Sequence, residues 1–336
     1  MDMKTSKALV WILTGARRGD NNQMLALAEA LGLPFETKTL VYNPLHHLPA
    51  LRRGLLHVTA ATRSQIKPPW PDVVIGVGPN SLPVARYIRS QSGGRTRLVQ
   101  IGDPRTSIGD LDLLITTPQF RRREAANVLA LPLPMGDPAG SVSPTSDEER
   151  WLQAWPRPRR LVAVGGSTRK WKIDDRALDE AIGLLNAQSG RDGGSVIAVT
   201  SPRTPTSVQR LLDHRLDGAN QAVVSNFPRF AALLARCDEV YVTADSVSML
   251  SEAVLTGKPV GMIGISRTVK GKISHAAQRL GLPYRVDLVK FWHFLTANNL
   301  VGTVESPVAA STSDTVTMAA DAVREILDRP PTTRQR

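Results

Sequence analysis

The chain has 336 residues, which is long for one domain core and sufficient for two. Hydrophobic residues make up 42% and charged residues 21%, a composition that is typical of globular proteins and unlike that of disordered chains. The longest apolar runs are far shorter than the roughly 20 residues that span a bilayer. The one cysteine, Cys237, excludes an internal disulfide, so a reducing compartment, the cytoplasm, is expected.

The formal net charge is +12, and the cations are unevenly distributed. Between Thr37 and Gly102 the sole acidic residue is Asp72, against nine lysines and arginines. Such a field attracts phosphates, nucleic acid or an anionic membrane surface, unless it is simply a solvated basic face. No nucleic-acid reader motif accompanies the charge, so nucleic acid is not an expected partner.

The first half alternates strand-like and helical runs, which favours a parallel sheet built from βαβ units. Its basic start and short apolar run are also typical of a leader peptide, but no small-residue cleavage site follows, and we expect a buried first strand. The predicted strands cover residues 8–14, 35–40, 72–77, 97–101 and 111–116, and the predicted helices cover residues 22–31 and 81–90.

Residues 48–66 combine Leu51, Leu55 and Val58 at helical spacing with three arginines. This pattern predicts a basic amphipathic helix. Its apolar face either packs on the protein's own sheet or meets an anionic membrane surface, and the pattern alone leaves both open.

The second half restarts the pattern after residues 137–160, which are rich in Pro, Gly, Ser and charge and predict a domain boundary with one short helix. The predicted strands cover residues 160–164, 195–200, 222–224, 239–243 and 259–263, and the predicted helices cover residues 176–188, 206–214, 230–236, 248–255 and 275–280. A terminal amphipathic helix follows Pro307, with Asp314 or Ser313 as N-cap. We expect an N-terminal domain over 1–145, a C-terminal domain over 159–305, and a last helix with its tail over 306–336.

A buried strand, a polar loop and a helix start follow one another in residues 238–260, DEVYVTADSVSMLSEAVLTGKPV. Ligands of open parallel sheets bind outside the carboxyl ends of the strands. Ser246 or Ser248 is the predicted N-cap, and the free N–H groups of the helix start would favour a diphosphate. Glu252 lies about one turn further, where a carboxylate can accept both hydroxyls of a ribose. The alternative is an ordinary strand–turn–helix unit with a solvated glutamate.

A glycine-rich turn follows the first strand of the second half, in residues 164–172, VGGSTRKWK. Glycines such as Gly165 and Gly166 let backbone amides approach a phosphate closely, and Arg169 and Lys170 add positive charge. The alternative is a tight turn beside surface cations.

Two aspartates of the first half follow predicted strands and are candidates for a general base. Asp20 lies in TGARRGDNNQ, between the first strand and the first helix, and Asp103 lies in QIGDPR after the fourth strand. A carboxylate at either place can take a proton from an acceptor hydroxyl. The competing interpretations are a helix N-cap for Asp20 and a turn for Asp103.

These motifs carry resemblances to known families. The segment NFPRFAALLARCDEVYVTADSVSMLSEAVLTGKPV is similar to the nucleotide-binding segment of GT-B glycosyltransferases, with the peptidoglycan N-acetylglucosaminyltransferase as the nearest comparison. The signatures TGARRGDNNQ, IGDPR, GGSTRKWK and TADSVSMLSEA resemble the mitochondrial-fission (elongated-mitochondria) family from about residue 8 to residue 300. The resemblance implies an α/β fold of the GT-B type, with two Rossmann-like domains facing each other across a cleft and a terminal helix that crosses back to the first domain.

The resemblance also assigns a donor site, because GT-B enzymes bind uracil, ribose and diphosphate at matching positions. Phe227 matches the residue that binds uracil through its backbone, and Glu252 matches the ribose-binding glutamate. Asp20 matches a histidine near the reacting sugar. The full set of expected donor contacts is Gly165, Gly166, Ser167, Arg169, Lys170, Phe227, Val247, Ser248, Met249 and Glu252.

The sequence thus predicts a glycosyltransferase that moves a sugar from a nucleoside-diphosphate sugar, expected to be a uridine one, to an unidentified acceptor, with a lipid-linked acceptor left open. No cofactor and no metal are expected, because the six histidines show no ligand spacing and Asp110-Leu-Asp112 precedes a strand. A non-catalytic adaptor of GT-B fold and a nucleotide-sugar 2-epimerase stay as alternatives. The expected location is the cytoplasm, and a peripheral contact with the inner face of the cytoplasmic membrane is left open.

Overall fold

The computed structural model describes residues 8–120, 124–136, 143–279 and 287–329. The contacts within the chain divide it into two units, an N-terminal unit of residues 1–136 with 313–336 and a C-terminal unit of residues 137–312. Each unit is built on a six-stranded sheet, and strands alternate with helices along the chain. The predicted α/β class is confirmed.

The N-terminal unit holds a parallel sheet with the strand order β2-β1-β3-β4-β5-β6. Its strands are β1 (Val10–Thr14), β2 (Phe35–Thr39), β3 (Val73–Val77), β4 (Arg97–Ile101), β5 (Leu113–Thr116) and β6 (Val128–Ala130). The helices between them are α1 (Arg18–Leu31), α2 (Ala60–Gln65) and α3 (Gly78–Gln91).

The C-terminal unit holds a sheet with the order β10-β9-β7-β11-β12-β14, in which β14 alone among these strands runs antiparallel, and a separate antiparallel pair of β8 and β13. Its strands are β7 (Arg159–Val164), β8 (Trp171–Ile173), β9 (Ser195–Thr200), β10 (Gln221–Val224), β11 (Glu239–Thr243), β12 (Pro259–Ile263), β13 (Ile265–Arg267) and β14 (Val308–Ala309). Its helices are α4 (Ser146–Gln153), α5 (Asp175–Asp192), α6 (Thr206–Arg215), α7 (Phe230–Arg236), α8 (Val247–Leu255), α9 (Val269–Arg279) and α10 (Leu288–Ala297). The last helix, α11 (Thr315–Asp328), packs on α1 and belongs to the N-terminal unit.

Both sheets are covered on two faces, because successive residues of a strand point to opposite sides. In β1, Ile12 joins a cluster with Leu27 of α1 and Val323 of α11, whereas Trp11 joins a cluster with Leu82 of α3. Each such side chain contributes about 1.5–3 kcal/mol when it leaves water. In the C-terminal unit, one face of the sheet packs on α5 and α6, and α7 and α8 contact β7, β11 and β12. The strand ends that carry the candidate site are therefore held by a rigid core.

The predicted elements differ from the structure mainly at helix starts. The helix α1 begins at Arg18, four residues before its predicted start, and α9 begins at Val269, six residues early. Leu280, the predicted end of that helix, lies outside the described residues. Helix α10 and the strands β6, β8, β13 and β14 were not predicted. The four strands span only two or three residues each, which is too short for an apolar pattern to be recognised.

The predicted helix over 48–66 is wrong. Two 3-10 turns, Pro44–His47 and Pro49–Leu51, precede an irregular stretch, and only Ala60–Gln65 is α-helical. Gly54 adopts φ +50, which lies outside the helical region, so a continuous helix over this stretch is broken there. None of the helices in the described part of the chain has the length and apolarity that spanning a membrane demands.

Candidate functional site

The order in which the chain adds strands to the C-terminal sheet reverses between β7 and β11. The chain leaves β7 for β9 and β10 on one side and then returns to β11 on the other side of β7. In open α/β sheets, the carboxyl ends of the strands at such a switch point form a crevice where ligands bind. The loops after β7 and β11, which are the two segments singled out in the sequence, meet at this place.

Hydrogen bonds join these two loops directly. The N–H of Gly165 donates to Thr243 Oγ1 at 2.9 Å, and the N–H of Gly166 donates to Asp245 Oδ2 at 2.8 Å. Thr243 Oγ1 in turn donates to Asp245 Oδ1 at 2.7 Å. Asp245 is 8% exposed, so its carboxylate is buried where the two loops meet.

The two glycines are required by close packing. A Cβ on Gly165 would lie 2.2 Å from Asp245 Oδ2, and a Cβ on Gly166 would lie 2.4 Å from the Cβ of Arg203. The expectation that these amides face a phosphate needs correction, since both donate inside the protein. Ser167 follows them in an exposed position.

Asp245 is the functional candidate that the sequence analysis missed. Burial raises the pKa of its carboxyl, and the Thr243 hydroxyl, the Gly166 amide and the charge of Arg203 act in the opposite direction. The signal for Asp245 that the sequence offered was an acidic residue in the polar loop just after a buried strand. Its side-chain bonds to the loop after β7 were not visible without the fold.

Helix α8 begins at the same crevice. Its N-cap is Ser246, whose Oγ accepts the N–H of Met249 at 3.3 Å, so the alternative N-cap, Ser248, is the second helical residue. The N–H groups of Val247 and Ser248 belong to the first turn and have no acceptor within the helix. Glu252 is four residues after Ser248, on the same face, and is half-buried.

Two further loops end at this edge of the sheet. After β9, Thr204 Oγ1 donates to the carbonyl of Gly165 at 2.6 Å, which places the exposed Arg203 beside the glycine turn. After β10, Phe227 is 48% exposed and lies just before the N-cap of α7, Arg229. An exposed cation and an exposed aromatic side chain thus lie on loops at the same edge of the sheet as the start of α8.

A tryptophan pair from β8 and α10 packs beside the loops of the site, outside the six-stranded sheet. The rings of Trp171 in β8 and Trp292 in α10 meet edge to face at 4.9 Å between centroids. Trp292 Nε1 donates to the carbonyl of Ala244 at 2.9 Å, and the N–H of Thr268 donates to the carbonyl of Lys170 at 3.0 Å. These contacts tie the loop containing Lys170 to the loop after β11.

The N-terminal sheet carries the two candidate bases at its own carboxyl edge. Asp20 lies in the first turn of α1 rather than at its N-cap, which is Arg17, so the capping interpretation is wrong. Burial raises the pKa of Asp20, and the nearby charge of Arg17 lowers it. Asp103 accepts the N–H of Arg105 at 2.9 Å and so forms the turn that was the competing interpretation. Because β3 separates β1 from β4, the two aspartates follow strands roughly 10 Å apart.

The Asp110 and Asp112 pair is engaged by arginines. Arg86 Nε contacts Asp110 Oδ2 at 2.6 Å, and Arg89 and Arg97 contact Asp112. The Arg86 contacts hold the pKa of Asp110 below its ordinary value despite partial burial. Within the described residues, no group of three or more His, Cys, Asp and Glu side chains is arranged to hold a metal ion.

Comparison with known proteins identifies the family of this chain. A family model described as mitochondrial fission ELM1 matches residues 18–286. The mitochondrial fission protein ELM1 of Arabidopsis thaliana is 28% identical over 222 residues, which are 58% of this chain and 52% of that protein. The match therefore spans about half the length of that relative.

Solved structures share the fold at low identity. The UDP-GlcNAc 2-epimerase of Methanocaldococcus jannaschii aligns with a TM-score of 0.54 at 11% identity, covering 95% of this chain and 99% of that one. UGT89C1 of Arabidopsis thaliana, solved with UDP-L-rhamnose, aligns with a TM-score of 0.51 at 13% identity, covering 98% and 92%. The expected GT-B fold is confirmed. Because the family model also covers more than half of the chain, the chain belongs to the mitochondrial fission ELM1 family.

Proposed function

We propose that the C-terminal unit binds a nucleoside-diphosphate sugar, with uridine as the nucleoside. One observation carries the proposal: α8 begins at the switch point with the N–H groups of Val247 and Ser248 at its start, and Glu252 follows on the same face. A diphosphate at this helix start would accept the two N–H groups and meet the positive end of the helix dipole.

The charges around the helix start support an anionic ligand. Arg203 and Arg169 are exposed on the loops after β9 and β7, at the same edge of the sheet. The Asp245 carboxylate would oppose a diphosphate, but burial raises its pKa, which lowers the cost of protonating it when the ligand binds. Gly165 and Gly166 contribute by seating Asp245 rather than by donating to the ligand.

The remaining proposed contacts are those to the ribose and to the base of the ligand. The Glu252 carboxylate is proposed to accept the ribose hydroxyls, and the backbone at Phe227 is proposed to bind the base. The structural neighbours include a UDP-GlcNAc 2-epimerase and a protein solved with UDP-L-rhamnose. These ligands belong to those proteins, and they make a uridine nucleotide the first compound to test here.

We further propose that the bound sugar is transferred to an acceptor, which makes the protein a metal-independent glycosyltransferase. Asp20 is proposed as the base that takes the acceptor proton, with Asp103 as the second candidate. The raised pKa of Asp20 favours this role, because a base with a pKa nearer to neutrality is the more effective one. Arg169 or Lys170 would stabilise the charge that develops on the departing diphosphate.

Nucleotide binding is tested by thermal shift and calorimetry with UDP. At about 100 times its dissociation constant, UDP should stabilise the protein by about 2.7 kcal/mol. Glu252→Ala should weaken UDP binding at least about tenfold, since a charge-assisted contact is lost, while the surface control Glu180→Ala should not. If no nucleotide shifts the melting temperature, the proposed function is wrong.

The N-terminal unit offers a surface that fits an anionic membrane. Leu45 and Leu51 lie in the two 3-10 turns, and Leu48 is the extended residue between them. All three are exposed, Leu48 to 53%, and Arg53 is exposed among them. We propose that this leucine surface inserts among lipid headgroups and brings the protein to a lipid-linked acceptor.

Liposome co-sedimentation tests the leucine surface. Vesicles with anionic phosphatidylglycerol should retain the protein, whereas neutral phosphatidylcholine vesicles should retain much less. Leu48→Asp should abolish retention, and Val269→Asp, at a position of the other unit that is 74% exposed, should leave it unchanged. Equal retention of the two variants would contradict the assignment.

A further inference from the structure

Glu148 is a buried acid at the start of α4, 79 positions before Phe227 in the sequence. It is 1% exposed and forms a capping box with Thr145: its N–H donates to Thr145 Oγ1, and Glu148 Oε2 accepts the N–H of Thr145 at 2.8 Å. A capping box needs only one carboxylate oxygen. The second oxygen of Glu148 is used elsewhere.

That second oxygen binds the N-cap of α7. Glu148 Oε1 accepts the backbone N–H of Arg229 at 2.9 Å and its Nε at 2.7 Å, while Arg229 Nη2 donates to Oε2 at 2.6 Å. The Arg229 side chain, followed by the amides of Thr145 and Arg229, holds the pKa of Glu148 at about 2 against the effect of burial. The carboxylate is therefore ionised throughout the physiological range.

The backbone contact fixes the loop between β10 and α7, residues 225–229, named the base loop below. Pro228 has no N–H to donate, so the amide of Arg229 is the first backbone donor after Phe227. Phe227 itself is nearly half exposed and is only partly held by packing. The position of the base loop therefore depends on the Glu148 carboxylate.

We propose that Glu148 is a positioning residue that sets the base specificity of the nucleotide site by anchoring the base loop. The inference rests on the proposed function, because it assumes that the base loop reads the nucleobase. Glu148 itself does not touch the ligand. It acts through the backbone of Arg229 on the neighbouring Phe227.

The chain contains a matched control between the same two helices. Arg236 at the end of α7 contacts Glu149 of α4, with 2.8 Å between Nε and Oε2. Both side chains are partly exposed, and this pair includes no backbone group of the base loop. Glu149→Gln thus removes a link between α4 and α7 without releasing the loop.

The experiment measures UDP and ADP affinities by calorimetry on the full chain. ADP keeps the ribosyl diphosphate and changes only the base. The wild type should prefer UDP by at least about tenfold, and Glu148→Gln should reduce that ratio to below about threefold while ADP affinity changes by less than about twofold. Glu149→Gln should keep the wild-type ratio.

Arg229→Lys provides a second variant if Glu148→Gln fails to fold. It keeps the backbone N–H and the charge but loses the two-point side-chain contact, so an intermediate ratio is expected. A preserved ratio in Glu148→Gln or Arg229→Lys, an equal loss of UDP and ADP binding, or a wild type without base preference overturns the positioning role. A wild type that binds neither nucleotide contradicts the proposed function instead.

Discussion

After β7 the chain turns through Gly165 and Gly166, whose amides donate to the side chains of Thr243 and Asp245 in the loop of the neighbouring strand. After β1 it turns through Gly15, whose N–H and carbonyl pair with the amide of Asn21 six residues further on. The first turn is tied to a distant segment, and the second is tied to the helix that follows it.

This difference separates two kinds of site. The edge of the C-terminal sheet is built from hydrogen bonds between loops and from the backbone of a helix start. Such a rigid edge would suit a diphosphate, the part that all nucleoside-diphosphate sugars share. The edge of the N-terminal sheet presents side chains, such as Asp20 and Asp103, on locally closed loops. We expect binding to be sensitive to backbone changes in the C-terminal unit, and turnover to side-chain changes in the N-terminal unit.

The largest expected effect is on turnover by Asp20→Asn. Loss of a general base lowers the rate by about 10²–10⁴-fold, while UDP affinity should be unchanged because the proposed donor site belongs to the C-terminal unit. UDP release from a panel of UDP-sugars, in the presence of a membrane lipid extract, measures the rate. Asp103→Asn is tested in the same way. Full activity in both variants would show that neither aspartate acts as the general base.

The two glycine turns can be compared directly by alanine substitution. Gly165→Ala should destabilise the protein by about 1–3 kcal/mol, because its Cβ would meet Asp245 at 2.2 Å. The free energy of unfolding of Gly15→Ala should be within about 1 kcal/mol of the wild-type value, since no atom lies within 4 Å of a Cβ built at this position. Urea denaturation measures both. A neutral Gly165→Ala would show that the switch-point network is not tightly packed.

A smaller effect is expected on the pH dependence of donor binding. The folded-state pKa of Asp245 is raised, so its ionisation costs folding stability, and acidification through that pKa relieves the cost. The same ionisation should weaken UDP-glucose binding by about fivefold as pH rises through that pKa, because a carboxylate then faces the diphosphate. Asp245→Asn should flatten the profile. Calorimetry from pH 4 to pH 8 measures it, and identical profiles would contradict this role.

The longer strands and the loops after β7 and β11 could be predicted from the sequence, because buried runs such as Val240 to Val242 and the polar loops after them are local signals. The network around Asp245 could not, since it depends on which strands become neighbours. The predicted helix over 48–66 failed for another reason: leucine spacing was weighed without the interruption at Gly54. Trp292 was missed because its partners lie in two distant segments.

The first amides of α8 are proposed to bind a diphosphate, and Val247→Pro tests this binding most directly. Proline is well tolerated at the first helical position, and Ser246 already has the extended backbone that must precede proline, with φ −112 and ψ 103. The variant thus removes one N–H and keeps the helix. UDP should bind at least about tenfold more weakly to Val247→Pro than to Val247→Ala. Equal affinities for the two folded variants would contradict the claim.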